Sequence, residues 1–315
     1  YSDTWEGSAG SIYVGDGNTQ NATWHDGRYL FHIAVTDLAG NASITPVEIH
    51  VDTVSPAGSL KINSGSAYTS SRDVSIQITG SDGLSGMDLM RLRNEGSEFP
   101  ATWDTFTTSR SGTLPSGDRT WAIYGEIRDR AGNATQISDD ITLDTTPPAA
   151  PESLTISPDT WTPTNSFTIT WTNPRDASGL IGAYYKWGNA PSTAEDGTYF
   201  TDYPKTLSVS DTGAHTLWIW LKDGAGNVSS ANRSSVTAKY DNIAPSAPAV
   251  TTTTTQAPNW TNNATPIFTW PAATDNDGGS GVSGYQYQVD NTLSTGWSSI
   301  SSGSSLSLAD GMHSI

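Results

Sequence analysis

The sequence predicts an all-β protein in which sandwiches of two sheets follow one another along the chain. The Asp of an Asp-x-Ala-Gly-Asn turn falls at positions 37, 129 and 223, which are steps of 92 and 94 residues. A repeat of about 100 residues is the size of a seven-stranded sandwich. The segments between the turns alternate polar with apolar residues and are rich in β-branched types, which is typical of half-buried strands.

The strands on either side of the turns can be placed from this alternation. "DVSIQI" ends at Ile78 and "SFTITW" ends at Trp171, and both read as strands. The strand before the third turn carries Leu217, Ile219 and Leu221, so these three side chains should point into one core. Sustained helical periodicity with caps is absent from the sequence, which favours the all-β class throughout.

Each turn is followed by one more strand and then by a Pro-containing linker. Glycine accepts a positive φ without steric cost, and an Asp side chain can accept backbone N–H groups two residues on, so the motif predicts a tight connection. An Asp precedes the linker at positions 52, 144 and 241. Proline ends the sheet pairing because it has no N–H to donate. A Ser-Gly loop at 85–86, 178–179 and 280–281 is a further marker of the repeat.

These markers divide the chain into a linear array of four parts, with incomplete modules at both ends. Residues 1–56 are predicted to be the C-terminal part of a module, 57–148 and 149–246 complete modules, and 247–315 the N-terminal part of another. An incomplete sandwich exposes a sheet edge and half a core. Neighbouring sequence or another copy of the chain is expected to complete it.

Composition excludes several partners. Lys and Arg total 15 against 32 Asp and Glu, so the formal net charge is −17. Such a surface repels nucleic acid and anionic lipid, and it favours divalent cations. The sequence has no Cys, which excludes disulfides and thiolate chemistry. No apolar run approaches the roughly 20 residues that a membrane helix needs, so membrane insertion of this segment is not expected.

The sequence does not predict an enzyme. Its five His are scattered, and none forms a metal-binding pair with a nearby His or Glu. Carboxylates are plentiful, but those in the turns and linkers recur in each copy, whereas an active site is normally unique. We therefore predict no catalytic residue and no required cofactor.

Calcium is the one cofactor for which the sequence supplies ligand types. Ca²⁺ takes six to eight oxygens from carboxylates and loop carbonyls, and the acidic residues at linkers and Ser-Gly loops offer them. The alternative is that each Asp only caps its own turn. The candidate ligands are Asp52, Asp82, Asp144, Asp176, Asp241, Asp275 and Asp277.

A second candidate site is an aromatic face in the third part of the array. Trp218 and Trp220 alternate with the apolar core positions, so they should point away from the core, and Tyr184 should lie beside them on the neighbouring strand. An exposed aromatic patch can stack on sugar rings or on a protein. The alternative is that a loop or the adjacent module covers these rings.

With its Asp-x-Ala-Gly-Asn turns at Asp37, Asp129 and Asp223 and its Asp-initiated Pro linkers, the chain resembles the bacterial Ig-like and fibronectin-type-III-like repeats of large extracellular proteins. The resemblance implies tandem Ig-like β-sandwiches at a bacterial cell surface or outside the cell, with neighbouring modules or further copies as partners.

Fold alone does not choose among the functions of such arrays. The first prediction is a non-catalytic structural or adhesive array, such as a stalk, an adhesin or a surface filament, that contacts a glycan or a cell-surface protein. The alternatives are a glycan-binding or spacer region of a secreted polysaccharide-active enzyme, and a decoration on a phage or virion fibre.

Overall fold

The computed structural model of the chain describes residues 25–252, 262–289 and 298–307. Within these ranges it consists of strands and one 3₁₀ turn at Asn63–Gly65, which confirms the all-β class. No helix in the described ranges is long and apolar enough to cross a membrane. The chain divides into two compact units, Tyr1–Thr146 and Pro147–Ile315. The four-part division drawn from the sequence stays a prediction.

Ten strands lie in residues 25–146, the described part of the first unit. They are β1 Gly27–Thr36, β2 Ala42–Val51, β3 Ala57–Ile62, β4 Tyr68–Thr69, β5 Asp73–Ser81, β6 Met87–Asn94, β7 Asp104–Thr105, β8 Ser109–Thr113, β9 Arg119–Asp129 and β10 Ala134–Leu143. Strands β1 and β2 form an antiparallel hairpin, and the other strands form two sheets, ordered β3-β5-β8 and β4-β10-β9-β6-β7. The short β4 pairs parallel with β10, while the other pairs of these two sheets are antiparallel.

The two sheets of the first unit enclose one apolar core. The alternation in β5 places Val74, Ile76 and Ile78 on the inner face, as predicted, and Ile123 and Ile127 of β9 lie in the same cluster from the opposite sheet. Alternate side chains of a strand point to opposite faces, so the apolar half of each strand is buried. The result is a sandwich spanning β3 to β10.

The structure describes eleven strands in the second unit, within residues 147–252, 262–289 and 298–307. They are β11 Glu152–Ser157, β12 Phe167–Thr172, β13 Leu180–Trp187, β14 Thr198–Phe200, β15 Lys205–Leu207, β16 Gly213–Asp223, β17 Val228–Tyr240, β18 Thr251–Thr252, β19 Phe268–Thr269, β20 Tyr285–Tyr287 and β21 Ser298–Ile300. Strands β11 to β17 form sheets ordered β11-β12-β15 and β14-β13-β16-β17. The last four strands form two two-stranded pairs, β18-β19 and β20-β21.

The core of the second unit follows the same rule. Phe167 and Ile169 of β12 pack with Leu217, Ile219 and Leu221 of β16, and all five are at most 2% exposed. The predicted inward direction of the three β16 residues is confirmed. The opposite face of β16 therefore carries Trp218 and Trp220, and this face holds the aromatic candidate site.

Candidate functional site

The repeated turn has one geometry at its three positions. The Oδ1 atom of the turn Asp accepts the backbone N–H of the turn Asn at 2.8 Å in Asp37, 2.9 Å in Asp129 and 2.7 Å in Asp223. Its Oδ2 atom accepts the side-chain amide of the same Asn at 2.8 Å in each copy. The turn glycine has φ +89°, +99° and +95°, values that favour glycine. These carboxylates hold the chain reversal.

One of these turns contributes to a cluster of three carboxylates in the first unit. Asp52, Asp82 and Asp129 each present an oxygen, and these oxygens lie within 4.8 Å of one another. Asp129 is buried and the other two are half-buried. Asp52 and Asp82 were predicted from the sequence. Asp129 was missed, although its position at the strand end, beside the linker in the fold, is what brings its carboxylate to the other two.

Backbone groups hold the two half-buried carboxylates in place. Asp82 Oδ1 accepts the N–H groups of Gly86 at 2.8 Å and Leu84 at 3.1 Å, and Asp52 Oδ2 accepts that of Ser85 at 3.0 Å. The Gly86 N–H is the main reason that the pKa of Asp82 lies below its ordinary value. Carboxylates this close repel one another when they are ionised, and carboxylate oxygens are ligands that Ca²⁺ takes.

Calcium binding at this cluster stays a prediction from the sequence, and a titration tests it. We expect millimolar Ca²⁺ to raise the melting temperature of the first unit, because a ligand that binds only the folded state stabilises it. Differential scanning calorimetry with and without a chelator measures the shift. The control is the Asp82→Asn variant, in which the calcium-dependent rise should shrink. An identical melting curve in Ca²⁺ and in chelator would contradict the prediction.

Two further predicted calcium ligands, Asp144 and Asp176, each accept a backbone N–H within their own unit. In the first unit, the buried Asp144 accepts the N–H of Thr146 at 3.2 Å. In the second, Asp176 accepts the N–H of Ser178 at 3.1 Å. Each of these bonds lies within two residues of its Asp, as expected of a carboxylate that caps its own turn.

The C-terminal group of acidic residues is arranged around Asp241 and Asp275. Asp241 Oδ2 accepts the N–H of Ser280 at 2.7 Å, and Asp275 Oδ2 accepts that of Gly281 at 2.6 Å. With its amide turned to satisfy both neighbours, Asn276 donates to Asp241 at 3.2 Å and to Asp275 at 3.0 Å. Asp277 is exposed. Asp275, and not Asp277, therefore occupies the position that Asp82 has in the first unit.

The aromatic face of the second unit is closed. Trp220 is 0% exposed and Tyr184 is 7% exposed, and their rings stack with centroids 5.6 Å apart at an interplanar angle of 11°. Both lie outside the apolar core, as predicted from the alternation of β13 and β16. The prediction that they form an exposed patch is wrong. Trp218 is half-buried, and its indole N–H donates to the Gly188 carbonyl at 2.9 Å.

A strap formed by residues 188–198 covers these rings. The Trp220 indole N–H donates to the Ala194 carbonyl of the strap at 2.6 Å. Gly197 lies so close that an added Cβ would come 2.5 Å from the Trp220 ring and 2.6 Å from the Tyr185 carbonyl oxygen. Real Cβ atoms do not approach carbonyl oxygens this closely, so this position requires glycine. The alternative stated from the sequence, cover by a loop, is the correct one.

An ion pair fastens the strap to the sheet. Lys186 Nζ lies 2.8 Å from Asp196 Oδ2, which also accepts the N–H and the hydroxyl of Ser192 at 2.8 Å each. Lys186 is the main cause that lowers the pKa of Asp196 to about 2. The Asp196 carboxylate is therefore ionised at neutral pH.

On the equivalent face of the first unit, arginine side chains stack on aromatic rings. Arg91 stands over Trp103 with 4.3 Å between its guanidinium carbon and the ring centroid, and Arg93 stands over Tyr124 at 4.1 Å. Arg128 stacks on Trp103 at 4.5 Å. A guanidinium group thus stacks on each of these rings and would compete with a sugar for that ring face.

The lowered carboxyl pKa values predict a loss of stability in acid. Backbone and side-chain donors lower the pKa of Asp82 and of Asp118, for which the Thr145 hydroxyl is the largest cause, and Lys186 lowers that of Asp196. Their folded-state pKa values lie below the unfolded value of about 4, so the unfolded chain binds more protons in acid. The stability they contribute is full above about pH 5 and is lost as the pH falls towards 2.

Melting temperatures between pH 7 and pH 2 measure this dependence. The Asp196→Asn variant should show a shallower fall in the second unit and an unchanged one in the first. A melting temperature that stays constant as the pH is lowered from 4 to 2 would contradict the stabilising role given to these carboxylates.

Residues 55–145 match the model of a family described as a bacterial Ig-like domain. Over 171 residues the chain is 36% identical to Exoglucanase B of Cellulomonas fimi, which is 52% of this chain and 14% of that protein. Over 210 residues it is 30% identical to Chitinase A1 of Niallia circulans, 62% of this chain and 27% of that protein. The chain thus spans a small part of each relative.

Among solved structures, the chain is similar to the fibronectin(III)-like modules of Clostridium thermocellum CbhA. That likeness has 13% identity and a TM-score of 0.35, and it covers 57% of this chain and 94% of that chain. The matched segment 55–145 contains the whole sandwich from β3 to β10, with its turn at Asp129 and its linker carboxylate at Asp144. Residues 55–145 of this tandem all-β chain are a bacterial Ig-like domain.

Proposed function

We propose that the chain is a non-catalytic spacer region of a secreted, polysaccharide-active bacterial protein. The observation that carries the proposal is the use of the recurring carboxylates. The turn residues Asp37, Asp129 and Asp223 each accept backbone and side-chain N–H groups of their own turn. A carboxylate that holds a chain reversal in each copy serves the module's architecture, whereas general acid–base catalysis requires one positioned against a substrate.

The named relatives support the polysaccharide part of the proposal. Exoglucanase B and Chitinase A1 are matched over 14% and 27% of their lengths, so the matched part is one region of a larger protein in each case. Because relatives named for two different polymers, a glucan and chitin, match parts of this chain, we propose a role that does not depend on the polymer. Spacing between other domains is such a role, and a spacer of a secreted protein would lie outside the cell.

The properties of the modules suit a spacer. Each unit has its own apolar core, so each unit supplies its own stability within the array. The net charge of −17 keeps such an array soluble and disfavours sticking to anionic surfaces. The closed aromatic faces leave the rings at Tyr184 and Trp220 unavailable for stacking on sugar.

A domain exchange tests this function. In Exoglucanase B, the segment that matches this chain over 171 residues is replaced by this chain. In the control, the same segment is replaced by a Gly/Ser linker with as many residues as this chain. We expect the chimera to keep its activity on insoluble cellulose and the flexible linker to lower it, because flexible linkers do not hold domains at a fixed separation. Equal activity of the two, or hydrolysis of cellulose or chitin by this chain alone, would contradict the proposal.

A second candidate is a structural or adhesive array at the cell surface, and the repetition of one module favours it as well. Its partners would be neighbouring modules, further copies, a glycan or a cell-surface protein. Stretching single molecules of the chain should give separate unfolding events for the units, which both candidates share. Binding of the chain to glycans on an array, or to bacterial or host cells, would favour adhesion over spacing.

A further inference from the structure

We propose that Asp52 and Thr53 form a two-sided clamp that ties the hairpin β1–β2 to the sandwich that follows it. The clamp would hold this junction in one geometry by hydrogen bonds of the chain itself. The inference rests on the proposed spacer function and deepens it, because it assigns the stiffness of the array to named residues.

The forward half of the clamp is the Asp52 carboxylate. Its Oδ2 atom accepts the backbone N–H of Ser85, in the Ser-Gly loop of the following sandwich, at 3.0 Å. Its Oδ1 atom accepts the N–H of Val54 within the linker at 3.1 Å. One carboxylate thus fixes both the direction of the linker and the loop on which the linker lies. Hydrogen bonds to an ionised acceptor are the stronger kind.

The following sandwich also binds the linker through its carbonyls. Asn133 Nδ2 donates to the carbonyls of Asp52 at 3.0 Å and Val54 at 3.3 Å, and the Thr135 hydroxyl donates to that of Pro56 at 2.6 Å. Proline offers a carbonyl and no N–H, so side-chain donors are what such a linker can use. The segment 52–56 is therefore docked along the module.

The backward half of the clamp is Thr53. Its N–H and its hydroxyl both donate to Asp26 Oδ1, at 2.7 Å and 2.8 Å. Asp26 precedes β1, so this pair ties the linker to the start of the hairpin. The same pairing recurs at the end of the first unit, where Thr145 donates its N–H and hydroxyl to Asp118 at 3.1 Å and 2.9 Å.

The forward half recurs in the second unit. Asp241 Oδ2 accepts the N–H of Ser280 at 2.7 Å, and Oδ1 accepts that of Ile243 at 3.1 Å. Asp52 makes the corresponding two bonds, to the residue two positions on in the linker and to the Ser of the next Ser-Gly loop. Asn242 stands where Thr53 stands in the first linker. The recurrence at two separate linkers is what makes the carboxylate a junction element, beyond a local turn cap.

The absence of Cys in the sequence makes a distance measurement straightforward. Leu38 and Ser116 are exposed, and replacing both by Cys allows nitroxide labels on the hairpin turn and on the sandwich of the full-length chain. Pulsed EPR then gives the distribution of label distances. We expect a narrow distribution in the parent, and one at least about twofold broader in Asp52→Ala and in Thr53→Val, because a freed linker samples many geometries.

Matched controls separate the clamp from general destabilisation. Asp140→Ala removes an exposed carboxylate of β10 and should leave the distribution unchanged. Amide exchange of Ser85 should accelerate about tenfold or more in Asp52→Ala, while the core amide of Ile76 stays protected. If Asp52→Ala loosens the core as well, Thr53→Val decides, since it removes one surface hydroxyl donor and keeps the carboxylate.

An unchanged distance distribution in both variants would overturn the clamp. That result leaves the domain exchange in Exoglucanase B unaffected, because a spacer can be stiff for other reasons. Conversely, a failed exchange with a broadened distribution would reject the spacer function and keep the clamp. If Asp140→Ala broadened the distribution of label distances as much as Asp52→Ala does, the clamp would also be rejected.

Discussion

Trp220→Ala is expected to lower the free energy of unfolding of the unit Pro147–Ile315 by about 3–5 kcal/mol. The side chain is 0% exposed, stacks on Tyr184 and donates its N–H to Ala194 in the strap. Its removal leaves a cavity between strap and sheet and deprives the partly buried Ala194 carbonyl of its donor, and both effects lower the stability. Chemical denaturation followed by fluorescence measures the change.

Two control variants show whether the effect is specific to the Trp220 ring and its N–H. Trp218→Ala removes a half-buried ring from the same strand and should cost less than Trp220→Ala. Trp220→Phe keeps most of the ring volume and loses the N–H, so it should fall between Trp220→Ala and the parent. A Trp220→Ala variant that melts like the parent but changes glycan affinity would contradict the closed face described above.

Asp129→Ala is expected to destabilise the unit Tyr1–Thr146 by about 3 kcal/mol. The carboxylate accepts the N–H groups of Gly132 at 2.7 Å and Asn133 at 2.9 Å, and the Asn133 side-chain amide at 2.8 Å. Each hydrogen bond to a charged acceptor contributes about 1.5–3 kcal/mol. Without the carboxylate, the turn loses what holds its reversal.

A competing effect partly offsets this loss. Removing the charge also relieves repulsion from Asp52 and Asp82, whose oxygens lie within 4.8 Å. Asp129 is buried but Asp52 and Asp82 are only half-buried, so solvent screens this repulsion, and the three charge-assisted hydrogen bonds outweigh it. The hydrogen bonds therefore dominate, and the net change is destabilising.

Calorimetry of the first unit measures the effect of Asp129→Ala, with Asp140→Ala as the exposed carboxylate control. Asp129→Asn should lie between Asp129→Ala and the parent, because its carbonyl keeps an acceptor for the two backbone N–H groups. A variant Asp129→Ala as stable as the parent would mean that repulsion in the cluster equals the gain from the turn.

The repeat could be recognised from the sequence because the residues that form its turns bond to near neighbours along the chain. The glycines at 40, 132 and 226 need a positive φ, and the Asp and Asn on either side bond to each other within five residues. The alternation of β16 likewise decided which residues enter the core. Such features depend on neighbours along the chain, so one sequence is enough to recognise them.

Features that depend on distant residues escaped prediction. The strap over Trp220 has no periodicity, and only Gly197 and the pairing of Asp196 with Lys186 mark it, neither of which signals cover before the fold is known. The approach of Asp129 to Asp52 depends on how the linker docks on the turn. The choice of Asp275 over Asp277 depends on which carboxylate reaches the N–H of Gly281.

The parallel pairing of β4 with β10 has a mechanical consequence. Tyr68 and Thr69 lie beside Thr142 and Leu143, immediately before the chain leaves the sandwich at Asp144. Tension between the two ends of the domain pulls β4 toward its start and β10 toward its end. The bonds between them are loaded in shear and break together, whereas those of a hairpin unzip one at a time. We therefore expect this contact of two residue pairs to resist extension of the domain more strongly than two pairs of a hairpin would.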